Sequence, residues 1–151
     1  MTDELRELLD KAIAREMDSR SLYLDGSLTA GDPTAAALMI ELADEESKHI
    51  EYLKKIKDDD FRKGRRREKE VLDLKISQYL EGGEKLEGAG LQDTLIFAIR
   101  HEQQSVEFYS RLMSAVTSEE TRRLCEKLVH EELKHKLKLE TLYDDMIFTE
   151  D

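Results

Sequence analysis

Residues 41–53 read ELADEESKHIEYL, and residues 127–139 read KLVHEELKHKLKL. Laid over one another, they put Glu46 on Glu132 and His49 on His135. Each pair is 86 residues apart, and the same offset carries Glu16 onto Glu102 and Tyr23 onto Tyr109. Flanking residues obey it too: Ala12 with Ala98, Ile13 with Ile99, Ser19 with Ser105, Leu42 with Leu128, Glu45 with Glu131, Lys48 with Lys134 and Leu53 with Leu139. A fixed offset held through identical and similar residues marks an internal duplication, whose halves are expected to face one another about a pseudo-two-fold axis.

Both halves have the period of a helix. Leu5, Leu8, Leu9, Ala12 and Ile13, then Met17, Tyr23 and Leu24, form one stripe of a first helix from about Asp3 to Leu28. Ala30-Gly31-Asp32-Pro33 ends it: Asp32 can cap the next helix and Pro33 fits the first position, where no amide donor is needed. The second helix runs to about Lys57 with Leu38, Leu42, Ala43, Ile50 and Leu53 inward. Leu95, Ala98, Ile99, Val106, Tyr109, Leu112 and Met113 mark a third. Thr117-Ser118-Glu119-Glu120 caps a fourth, with Leu124, Leu128, Val129, Leu139 and Leu142 inside. Between them, Leu72, Ile76, Tyr79 and Leu80 share a face and predict a short helix in a long crossover. The expectation is a single all-α domain over 1–151, a ferritin-like four-helix bundle of two hairpins: repeat one about 3–57, crossover about 58–91, repeat two about 92–147.

The 151 residues carry 24 basic and 35 acidic side chains, a net charge of -11, which disfavours a nucleic-acid partner. One cysteine, Cys125, excludes an internal disulfide or a thiolate-held metal, so any ion is left to carboxylates and imidazoles. Runs such as Ala35 to Ile40 are too short to span a membrane, and the opening residues lack signal-peptide character; the expected location is cytoplasmic. The Glu, Lys and Arg excess, with no Asn, is of the kind seen in heat-adapted proteins.

Within each repeat one Glu stands on the first helix and Glu-x-x-His on the second. Residues three apart share a helix face, so Glu46 with His49, and Glu132 with His135, aim at one spot. Glu16 and Glu46 are centred on Gly31, and Glu102 and Glu132 on Thr117. In antiparallel hairpins each Glu then stands roughly 22 Å from its turn, at about 1.5 Å per residue, and all six side chains meet at one level. Their helical neighbours are apolar, and four ionised carboxylates inside a core need cations. Four carboxylates and two imidazoles suit two iron or manganese ions, with zinc able to intrude. A lone Glu-x-x-His carries little weight in a chain this rich in Glu; the duplicated set carries much more.

On these residues the chain resembles the rubrerythrin family of the ferritin-like superfamily over about residues 3 to 147. The resemblance implies that Glu46 and Glu132 bridge two irons, that Glu16 and Glu102 are terminal carboxylates and His49 and His135 terminal imidazoles, and that Tyr23 and Tyr109 hydrogen-bond to ligands. Two departures stand out. Ile99 and Ser105 occupy the positions around Glu102 where many members carry a further carboxylate. No paired Cys-x-x-Cys is present for a rubredoxin domain, so electrons are expected from a separate donor.

The activity implied is reduction of hydrogen peroxide, with Tyr23 or Tyr109 supplying or relaying a proton. Reaction with O2 as an oxidase or ferroxidase, and iron binding without turnover, are the alternatives. A homodimer is implied by the resemblance, with exchange of helices through the crossover open. Cys125 and the methionines Met17, Met39 and Met113 read as core residues, and His101 and His130 as surface or ligand-supporting groups. Arg65 to Arg67 read as a solvated or subunit-contact patch.

Overall fold

The computed structural model describes residues 3–62, 86–116 and 118–149. They form α1 (Asp3–Thr29), α2 (Pro33–Arg62), α3 (Leu91–Ala115) and α4 (Glu119–Thr149), with no strand among the described residues. α1 packs on α2 and α3 on α4, so the two repeats are two helical hairpins of a four-helix bundle. α2 runs on to Arg62 through the acidic residues placed at the start of the crossover, because neither Gly nor Pro interrupts it before Gly64. The crossover helix expected around Leu72 to Leu80, and the run Arg65 to Arg67, lie outside the described residues.

The predicted caps form. Asp32 Oδ1 accepts a hydrogen bond from the Ala35 amide at 2.8 Å, the third helical position of α2. Its second oxygen, Oδ2, accepts from the Leu91 amide at 3.1 Å, so one carboxylate serves the starts of both α2 and α3. Gly31 makes that junction possible. Its amide donates to Ala89 at 2.6 Å, and a Cβ there would sit 2.8 Å from the Gly88 carbonyl oxygen. At the opposite end Ser118 accepts from Thr121 at 3.5 Å and, through its carbonyl, from Arg122 at 3.0 Å.

The inward face of α1 follows a seven-residue step through Leu5, Ala12, Ser19 and Gly26, flanked by Leu8, Leu9, Arg15, Glu16 and Tyr23. Met17 and Leu24 fall with Asp10 on the outer side of that step and are 39% and 43% exposed, which corrects their placement in the core stripe. On α4, Leu142 is likewise 40% exposed, because Leu139, Tyr143 and Met146 take the inner face as the helix drifts off the seven-residue step. Of the methionines, Met39 is buried and Met113 half-buried.

Buried apolar residues fall into two clusters. One gathers Leu8, Ile13, Leu53, Phe108, Leu112 and Cys125; the other gathers Leu38, Met39, Leu42, Leu86, Leu95 and Leu139. The level between them is where the repeated Glu and His residues lie.

Candidate metal centre

Each helix brings its polar residues to this level from an apolar stripe. Glu16, Glu46, Glu102 and Glu132 are all 1% exposed or less, His49 is buried and His135 half-buried. His49 Nδ1 stands 2.9 Å from Glu132 Oε1 and 3.7 Å from Glu16 Oε2, bringing α2 to both α4 and α1. His135 Nδ1 faces Glu102 Oε1 at 3.9 Å. The two imidazoles stack at 5.5 Å between centroids and 16° between planes. Ligand atoms of His49, Glu132 and His135 lie within 4.8 Å of one another, and so do those of Glu16, Glu46 and His49. All six predicted ligands are thus in one layer.

This layer is poorly satisfied by protein alone. Glu16 Oε2, Glu46 Oε2, Glu102 Oε2, both oxygens of Glu132, and Nδ1 of His49 and of His135 have no hydrogen-bond partner. Buried acceptors normally have one, and orphaned carboxylate oxygens are far more costly than neutral groups. Their common feature is that they converge on each other. The donor set fits divalent iron, manganese or zinc, and supplies four negative charges for two such ions.

Electrostatics of the layer point the same way. Burial pushes Glu102 well above the ordinary carboxylate range, and the neighbouring charge of Glu132 pushes it further. Burial acts in the same direction on Glu132, yet Glu102 and His49 beside it prevail and hold it down at about 2. Burial opposes the charged form of His49, but Glu132 and Glu16 raise it to about 10. In the absence of a cation, protons therefore do part of a cation's work.

The tyrosines behave differently from each other. Tyr109 Oη donates to Glu16 Oε1 at 2.5 Å, from α3 to α1. Tyr23 is equally buried, but its hydroxyl has no partner. Burial, reinforced by Glu102 for Tyr23 and by Glu16 for Tyr109, raises both phenols well above their ordinary value, so both keep their protons.

Several residues of the layer carry no sequence motif. Glu45 Oε2 lies 3.2 Å from Nε2 of His135, which leaves Nδ1 turned inward; the paired position Glu131 was visible in the repeat, but not its contact. His101, 3% exposed, is joined to Ser19 at 2.7 Å through Nε2 and stacks on Phe97 at 5.9 Å. Burial, then the charge of Arg15, brings its imidazole down to about 3. Arg15 is fully buried one residue from Glu16. Arg15 and His101 are themselves 86 apart, but unlike residues leave no trace in a self-comparison. His130 is exposed. The free thiol of Cys125 is buried and pushed up to about 12, in keeping with a core residue.

A family model described as rubrerythrin matches residues 7–143. The chain belongs to the rubrerythrin family. Among solved structures, a hypothetical protein from Pyrococcus furiosus is 26% identical, with a TM-score of 0.63 over 99% of this chain and 94% of that one. No curated protein matches it. Rubrerythrin-family membership agrees with the bundle of two hairpins and with the carboxylate and imidazole clusters; the 151 residues contain no rubredoxin domain. Among the described residues, no helix of this rubrerythrin-family chain is long and apolar enough to cross a membrane.

Proposed function

We propose that Glu16, Glu46, His49, Glu102, Glu132 and His135 hold two iron ions and that the protein reduces hydrogen peroxide to water. The observation that supports this best is the convergence of four buried carboxylates, each with at least one oxygen that has no hydrogen-bond partner, on the Nδ1 atoms of two imidazoles. Glu132 is clustered with both imidazoles and Glu46 with Glu16 and His49; the bridging role of Glu46 and Glu132 is what the family resemblance implies.

The reaction consumes two electrons and two protons per peroxide. Ferrous ions held by Glu16, Glu46, His49, Glu102, Glu132 and His135 would supply one electron each, the pair that reduction of a peroxide requires. Tyr109 holds its proton on Oη against Glu16, orienting that carboxylate and keeping a proton within the layer. Tyr23 keeps an uncommitted hydroxyl in the same dry interior. Glu45 holds Nε2 of His135 and fixes which nitrogen faces the centre. The apolar clusters above and below exclude bulk water. Electrons to restore the reduced state come from a separate donor. The reading also takes up the homodimer that the family resemblance implies and the cytoplasmic location expected from the sequence.

The test is to load the protein anaerobically with two Fe(II) per chain and mix it with hydrogen peroxide or with O2, following ferric absorbance. Oxidation much faster with peroxide is expected. Faster oxidation by O2 would make it an oxidase or ferroxidase, and indifference to both a binding or structural site. Substitution Glu46→Ala should remove stoichiometric binding of the second ion.

A further inference from the structure

Arg15 is the largest fully buried side chain of the described residues, and its guanidinium offers a planar fork of N–H donors and no acceptor. Nε, Nη1 and Nη2 all lack a hydrogen-bond partner. Glu16 Oε1 is 4.0 Å from Nη1 and already accepts from Tyr109, and the guanidinium lies 5.6 Å from the centroid of Phe108. A buried cation whose fork of N–H donors is unused calls for an acceptor.

The duplication shows that the fold itself does not ask for this charge. Ser19 donates to the Arg15 carbonyl at 3.0 Å and Ser105 to the His101 carbonyl at 3.1 Å, so the backbone is alike at the two positions. One half places a guanidinium there and the other an imidazole. Four buried carboxylates balance two divalent ions, and Glu45, the further carboxylate of the layer, is part-exposed and engaged with His135; among the fully buried groups Arg15 then leaves one positive charge in excess. We infer that Arg15 makes the metal-loaded centre take up one small monoanion, of the size and charge of azide, formate or deprotonated peroxide, on the side of Glu16. The inference rests on the two-ion reading above. Such an anion meets both needs at once, accepting from the guanidinium and restoring neutrality in a medium where an uncompensated charge is strongly disfavoured.

Azide titrated into the Co(II)-loaded protein tests this without redox chemistry, with metal content measured on the same samples and binding read from the Co(II) absorption spectrum. The expected result is one azide per pair of ions in the wild type. Affinity should be at least tenfold weaker in Arg15→Met and Arg15→Gln and largely kept in Arg15→Lys. Two ions per chain with unchanged azide affinity in Arg15→Met overturn the inference and leave the metal reading intact. Failure of the wild type to hold two ions overturns the metal reading instead. Arg15→Met removes a buried charge that makes no hydrogen bond, so the helical fold is expected to persist by circular dichroism. If neither neutral variant folds, the wild type decides by stoichiometry: one azide per pair of ions at saturation supports the proposal, and none or one per ion overturns it.

Discussion

Tyr109 on α3 donates its phenolic proton to Glu16 on α1 across 93 residues of sequence, while its repeat mate Tyr23, buried to the same extent, donates to nothing. The duplication places both rings, but only one closes a hydrogen bond. Tyr109→Phe strips a buried carboxylate oxygen of its donor and should cost about 1–3 kcal/mol of stability in urea unfolding of the metal-free protein. Tyr23→Phe should cost clearly less. Equal losses would contradict the asymmetry.

Glu45 fixes the ring of His135 through Nε2. Glu45→Gln is expected to weaken metal binding about 10- to 100-fold, by competition with a chromophoric chelator, while leaving the helices intact. Glu131→Gln serves as the control, since Glu131 pairs with Lys134 at 3.9 Å, and should change little.

Asp32 caps two helices with its two oxygens. Asp32→Ala should destabilise by about 2 kcal/mol, about 1 for each cap. Faster amide hydrogen exchange is expected at both Ala35 and Leu91. Exchange accelerated at Ala35 alone would show that the link to α3 contributes nothing.

Metal binding should release protons. His49 stays protonated up to about pH 10 in the ion-free layer, and only a neutral imidazole coordinates. At pH 7 an ion entering at His49 displaces that proton, so apparent affinity rises with pH, about tenfold per unit for each proton released. Calorimetry in two buffers of different ionisation enthalpy measures the number; a value of zero at pH 7 would refute the assignment of His49.

In the metal-free protein the same pair sets a stability window. His49, raised from 6.5 to about 10, contributes fully below pH 6.5 and loses its contribution as pH climbs to 10. Glu132, lowered from 4.5 to about 2, contributes above pH 4.5 and loses its contribution as pH falls to 2. The stability gap between wild type and His49→Gln should therefore be widest between about pH 4.5 and 6.5 in denaturant titrations with chelator present. A gap that widens toward pH 10 would reverse the sign and rule the account out.

What could be read from the chain alone was whatever depends on spacing. The offset of 86, the helical period and the caps at Asp32 and Ser118 are local or repeated quantities, and they sufficed to give four helices in two hairpins and to put Glu16, Glu46, His49, Glu102, Glu132 and His135 at one height. Tertiary structure decided what depends on the position of another helix. It buried Arg15 and His101 as unlike partners and turned Met17 and Leu24 outward. It also gave Asp32 a second helix to cap and paired Tyr109 with Glu16 while leaving Tyr23 free. The physical reason is that a helical period fixes an angle around one axis, whereas a contact between axes depends on how packing rotates each helix against its neighbours.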